Sequence, residues 1–105
     1  MIGYAVGPFA RADLSEIYSH SRRTWGVTQA DKYIEGLFDL FERIGSGSVP
    51  GKSLSPDGPD GFRVRYEAHH VYCRIASDGR VAIVTILHQH MIEADRVRRA
   101  FAKSV

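Results

Sequence analysis

The chain has one cysteine, Cys73, among its 105 residues. A lone thiol forms no internal disulfide, and without a Cys pair the usual thiolate zinc frameworks are excluded. Long apolar runs are missing too. No stretch approaches the ~20 residues of a membrane-spanning helix. The opening segment MIGYAVGPFARAD lacks a basic stretch followed by an apolar block, so the sequence reads as cytoplasmic, with no membrane partner. Lysine is scarce: apart from Lys32, Lys52 and Lys103, every basic residue is Arg. The arginine fork suits carboxylates and phosphates. Yet a net charge of +2 cannot choose between a solvated basic face, an acidic protein partner and nucleic acid. No internal repeat is visible.

What is present is an ordinary globular composition, 44% hydrophobic and 25% charged, at a length that fits one domain over residues 1–105. Ile2–Gly7 alternates and reads as a first strand. Pro8 is pre-shaped for a helix start, and Ala10, Leu14, Ile17, Tyr18, Ser21 and Trp25 follow at helical spacing. Asp13 and Glu16 suit the positive end of that helix, and Arg22 and Arg23 its negative end. Trp25 is expected to pack. Gly26 stops the helix, and a second begins almost at once, with Thr28 as the expected N-cap and Asp31 three residues on. Its apolar face is Ala30, Tyr33, Ile34, Leu37, Leu40, Phe41 and Ile44, and Gly45 and Gly47 end it. One linking residue implies an antiparallel helical hairpin.

Ser46–Gly61 is rich in Gly, Pro and Ser and reads as a loop. Strands follow. Phe62, Val64 and Tyr66 alternate with Arg63, Arg65 and Glu67, and Val71, Cys73 and Ile75 alternate with Tyr72 and Arg74. Asp78-Gly79 marks a hairpin. Val81–Leu87 is apolar on both faces, as a central strand would be. A short terminal helix could turn Val97, Ala100 and Phe101 inward. The expectation is an α+β fold, β-α-α-β-β-β, with an antiparallel sheet packed against the N-terminal helical hairpin.

Four of the five histidines, His69, His70, His88 and His90, fall in the strand region. Either of the last two could serve as acid or base, but a strand-end imidazole is more often satisfied by a local hydrogen bond. His88-x-His90 with His69-His70 might suggest metal; supporting Cys or carboxylate ligands are missing, so no metal is expected. Cys73 reads as a small core residue rather than a nucleophile. With Phe62, Val64 and Tyr66 inward, Arg63, Arg65 and Arg74 populate the opposite sheet face.

The ordered set of Pro8, Ala10, Asp13, Leu14 and Ile17, then Trp25-Gly26, then Gln29, Ala30, Tyr33 and Leu37, and finally HHVYCRI (His69–Ile75) and ILHQHM (Ile86–Met91) resembles the ParE branch of the RelE/ParE toxins of type II toxin–antitoxin modules. The resemblance runs from about Tyr4 to Met91. It implies a toxin that inhibits DNA gyrase by binding, without catalytic residues or cofactors, and without sequence-specific nucleic-acid binding. A cognate antitoxin would neutralise it in a hetero-oligomer by wrapping an extended and helical segment around it. The antitoxin-binding candidates are Arg63, Arg65, Arg74 and Phe38; the target-contact candidates are His88, His90, Met91 and Arg96. RelE-like relatives on the same fold cut mRNA in the ribosome, and that alternative would use His90 with Arg63 or Arg65. A non-toxic interaction module is the third reading. The chain departs from the family where His90 replaces a common Arg, Ile92 a common Asp, Thr85 a common Arg and Cys73 an aromatic.

Overall fold

The computed structural model describes residues 3–56, 58–90 and 94–103. In chain order these form β1 (Tyr4–Val6), α1 (Pro8–Trp25), α2 (Val27–Gly45), β2 (Lys52–Ser53), β3 (Phe62–Tyr66), β4 (His69–Ile75), β5 (Val81–His88) and α3 (Ala94–Ala102). The α+β class and the C-terminal helix follow the reading of the sequence.

The sheet has five strands in the order β1-β5-β4-β3-β2. β3, β4 and β5 form the expected antiparallel meander. β1 joins β5 in parallel, with Tyr4 opposite Val81 and Val6 opposite Ile83, so the sheet is mixed rather than wholly antiparallel. Three alternating residues carry no mark of strand direction; the docking of the helical hairpin between β1 and the meander sets it. The loop also yields β2, two residues long, on the outer edge of β3.

The hairpin turns on Gly26. Its φ of 95° and ψ of 169° is glycine territory, and the residue ends α1 and starts α2 together. Hence α2 begins at Val27, and Thr28 is not its N-cap. Asp31, expected in a capping box, instead accepts a hydrogen bond from Tyr18 Oη (2.9 Å) and ties the two helices. In the strand hairpin, Gly79 has φ 88° and donates to the carbonyl of Ala76 (3.0 Å), while Ala76 N–H donates to the carbonyl of Arg80 (2.8 Å). The loop is therefore the three residues Ser77–Gly79 rather than a two-residue Asp-Gly turn. Asp78 accepts from the backbone N–H of Arg80 (3.0 Å).

Two apolar layers sandwich the sheet. Beneath the hairpin, Leu37, Phe41 and Ile44 of α2 meet Val64, Val71, Cys73, Val81, Ile83 and Ile86. Each large side chain fully buried there contributes roughly 1.5–3 kcal/mol. On the opposite face α3 lays Val97, Ala100 and Phe101 against Val84 and Leu87, with Phe9 and Tyr72 alongside. β5 serves both layers through a bulge. Thr85 lies opposite Tyr72 and Ile83 opposite Cys73, which leaves Val84 unopposed.

Candidate functional site

The alternation of β3 divides its side chains. Val64 is buried under the helices with Phe62 and Tyr66 beside it, and Arg63 and Arg65 take the other face. Across the ladder Arg63 lies opposite Tyr72, and Arg65 opposite His70. Arg65 is exposed and held at two points: Nε donates to the carbonyl of Glu67 (3.0 Å), and Nη2 to Oε1 of Gln89 (2.6 Å). Arg74, half-buried opposite Ala82, lines a recess with Asp60, Arg98 and Phe101. His70 sits within this face; burial lowers its pKa, and the charges of Arg63 and Arg65 lower it further. The arginine face is thus cationic around a neutral imidazole. Phe38 does not join it. It lies on α2, beyond the sheet, 38% exposed and edge-on to Phe41 with ring centres 5.4 Å apart.

The other histidines occupy the hairpin side. His69 and His88 are cross-strand neighbours with ring centres 5.3 Å apart. His69 Nδ1 lies 2.6 Å from Tyr33 Oη. Burial pushes the Tyr33 phenol up to about 12, against a lowering influence of the Ala68 backbone. Burial first, then the neighbouring imidazoles His88, His20 and His70, push His69 down to about 4. The phenol therefore keeps its proton and the ring stays neutral, and the tautomer of His69 decides which of the two donates in this bond. His88 Nδ1 accepts from the backbone N–H of His90 (3.2 Å), a bond local to the strand end. The exposed ring of His90 lies beside His88 at 5.1 Å. His90 is thus on the hairpin side, while Arg63 and Arg65 are on the other. Arg65 reaches the side chain of Gln89, the residue before His90. Among the described residues no three His, Cys, Asp or Glu side chains gather where they could hold a metal ion.

Between α1, the end of β5 and α3 runs a groove of about 620 Å³, with His20, Arg23, His69, His88 and Arg96 around a floor of Ile17 and Ile86. Two target-contact candidates, His88 and Arg96, therefore share one surface, and His90 adjoins it. Met91 lies outside the described residues. Arg96 also has an internal partner: Nη2 is 3.5 Å from Oδ1 of Asp13. Asp13 is not a helix-dipole residue. It lies past the first turn of α1, is buried, and accepts through Oδ2 from Thr85 Oγ1 (2.6 Å) and from the backbone N–H of Ile86 (2.9 Å). That N–H is on the edge of β5 past its pairing with β1, so the carboxylate takes the place of a strand partner. A clue was in the sequence: Asp13 falls between Ala10 and Ile17 at core spacing.

Trp25, expected to pack, does not. It is 70% exposed, and Val27 across the turn is 52% exposed. The last turn of α1 leaves the indole outside both apolar clusters of the described residues. Cys73 is fully buried, and burial pushes its thiol up to about 12.

With this geometry in hand, the chain was compared with known proteins. The family model described as the ParE toxin of the type II toxin–antitoxin system, parDE, matches residues 5–93. Toxin ParE of Escherichia coli is 34% identical over 91 residues, covering 87% of this chain and 88% of that protein. Toxin ParE1 of Caulobacter vibrioides is 33% identical over 93 residues, covering 84% and 90%. Toxin ParE1 of Mycobacterium tuberculosis (strain ATCC 25618 / H37Rv) is 29% identical over 93 residues, covering 89% and 94%. Among solved structures, the chromosomal ParDE TA system from P. aeruginosa superposes with a TM-score of 0.70 at 18% identity, covering 84% of this chain and 96% of that one. It shares the fold.

Proposed function

We infer, from the premise that this chain belongs to the ParE toxin family of type II toxin–antitoxin systems, that it arrests growth by binding DNA gyrase and that a cognate antitoxin neutralises it. The observation that favours binding over RNA cleavage is the division of its candidate groups by the sheet. Attack by a 2′-hydroxyl needs a base, an acid and cations around one phosphate. His90 lies with His88 on the hairpin side, and Arg65 reaches Gln89 on the other. On this reading the imidazole and the guanidinium groups serve two surfaces rather than one phosphate.

The antitoxin reading rests on the cationic face. Arg63, Arg65 and Arg74 present guanidinium groups that fit the carboxylates of an acidic segment, giving a toxin–antitoxin hetero-oligomer. Phe38 would be reached only by a partner that also wraps onto α2. The target reading rests on the histidine-lined groove, where His88 and Arg96 meet. No helix among the described residues is long and apolar enough to cross a membrane, and a gyrase target puts the work in the cytoplasm.

Inducing the chain without its antitoxin tests this. The expected result is growth arrest with loss of DNA supercoiling by purified gyrase when the toxin is added. Truncated mRNAs on ribosomes with normal supercoiling would overturn the gyrase reading in favour of the nuclease. For the partner, Arg63→Ala with Arg65→Ala should weaken antitoxin binding and flatten its dependence on salt.

A further inference from the structure

The Trp25-Gly26 pair belongs to the motif set of the chain, yet neither core nor groove uses the indole. Trp25 is the sole tryptophan and is 70% exposed at the end of an 18-residue helix. Such exposure forfeits apolar burial for no gain inside the fold. The surroundings are consistent in sign. From Ser19 to Ala30 the chain carries Arg22, Arg23 and His20 and no acidic residue. Val27, on the far side of the turn, adds a second exposed apolar group. Gly26 fixes the spacing of the two, since one residue in a glycine-only conformation joins the helices. Trp25 also follows Ile17 and Ser21 at four-residue intervals, so it stands on the side of α1 that lines the groove.

We propose that the hairpin tip, with Trp25 as its anchor and Arg22 and Arg23 as its rim, docks into an acidic, apolar-floored cleft on the folded protein that this toxin inhibits. The inference rests on the toxin reading but not on gyrase being the target. Shape and charge select this occupant. The tip is a stiff convex knob, which needs a preformed concave surface; an extended antitoxin segment is better matched by the flat arginine face. A nucleic-acid strand would call for many phosphate contacts, and a lipid surface for a longer apolar face or a second anchor. A Trp beside a pair of arginines is instead the composition of a protein–protein hot spot.

The test uses the full chain, Trp25→Ala, and the charge reversal Arg22→Glu with Arg23→Glu. Growth arrest on induction, antitoxin binding and thermal unfolding are measured for each. The proposal expects Trp25→Ala to weaken inhibition of the target about 30-fold or more, the range of a hot-spot truncation. Antitoxin affinity and unfolding should be unchanged, and the charge reversal should show the same split. Undiminished arrest by Trp25→Ala overturns the proposal. Parallel loss of antitoxin binding overturns it too and assigns the tip to the antitoxin. A blue shift of the Trp25 emission on adding anionic vesicles or duplex DNA, at concentrations that leave a neutral control unshifted, would hand the tip to those partners. A wild-type chain that arrests growth without affecting gyrase removes the gyrase reading alone; one that arrests nothing removes the toxin reading and this inference with it.

Discussion

Replacing Asp13 with Ala should be among the most damaging single changes in the chain. One carboxylate oxygen accepts from the Thr85 hydroxyl at 2.6 Å and from the Ile86 N–H at 2.9 Å, both in a buried setting. Alanine leaves two buried donors without an acceptor. An orphaned group costs ~1–3 kcal/mol, so the expected loss is roughly 3–5 kcal/mol, a large part of the ~5–15 kcal/mol that holds a domain folded. At ~4–8 °C per kcal/mol for a domain of nearly this size, the melting temperature should fall by roughly 12–40 °C. The ion pair to Arg96 is a smaller matter. Its guanidinium is 38% exposed and the separation is 3.5 Å, so Arg96→Ala should cost no more than ~1 kcal/mol. Urea unfolding followed by circular dichroism, with Thr85→Val as a second variant, separates the parts. Adding Thr85→Val to Asp13→Ala removes one of the orphaned donors, so the double variant should lose less than the two single losses combined. If Asp13→Ala costs under ~1 kcal/mol, or no more than Arg96→Ala, the buried donors are not what Asp13 serves and the reasoning fails.

Further outcomes follow from the same contacts. His69 is held at about 4 against an ordinary 6.5, so between these values the unfolded chain binds the proton and the fold does not. Stability should be full above pH 6.5 and fall toward pH 4, by ~1–2 kcal/mol once the ring's partial contact with water is allowed for; an NMR titration placing His69 near 6.5 would contradict this. Tyr33→Phe removes the hydroxyl 2.6 Å from His69 Nδ1 and should leave the His69 titration point, read in the same experiment, well below 6.5, because burial is its main cause. Gly45→Ala should destabilise by ~1–3 kcal/mol, against the usual helical preference for Ala, because the new Cβ would meet the Gly3 backbone at 2.8 Å; a rise in urea midpoint would refute it. The Cys73 thiol, buried and pushed up to about 12, should resist a thiol reagent at pH 8 until the protein is unfolded.

The helical hairpin and the meander were legible because their signals are local. The 3.6-residue stripe of α2 and the Arg–apolar alternation of β3 are each written in consecutive residues. So was the two-faced burial of β5, from its unbroken apolar run. The partner of β1 was not legible, since pairing Tyr4 with Val81 is a relation between distant segments. The same holds at the site. Arg63 and Arg65 could be assigned a face from parity alone, but the contact of His69 with Tyr33 joins β4 to α2. The role of Asp13 depends on where β5 loses its strand neighbour. Trp25 was misjudged because periodicity tells which side of a helix faces inward, not where the sheet beneath it ends.

The central position of β5 has a bearing on synthesis. β1 is translated before the helices and the other strands, yet its ladder partner begins at Val81. Asp13 waits for Thr85 and Ile86, and the antiparallel edge of β4 waits for the same strand. No N-terminal fragment that stops before residue 81 contains the column on which both apolar layers are built. Closing a loop of such length is entropically costly, and its contacts are gained late. A ribosome must have passed residue 88 before both layers can close on β5, so the folded domain and its binding surfaces arrive together.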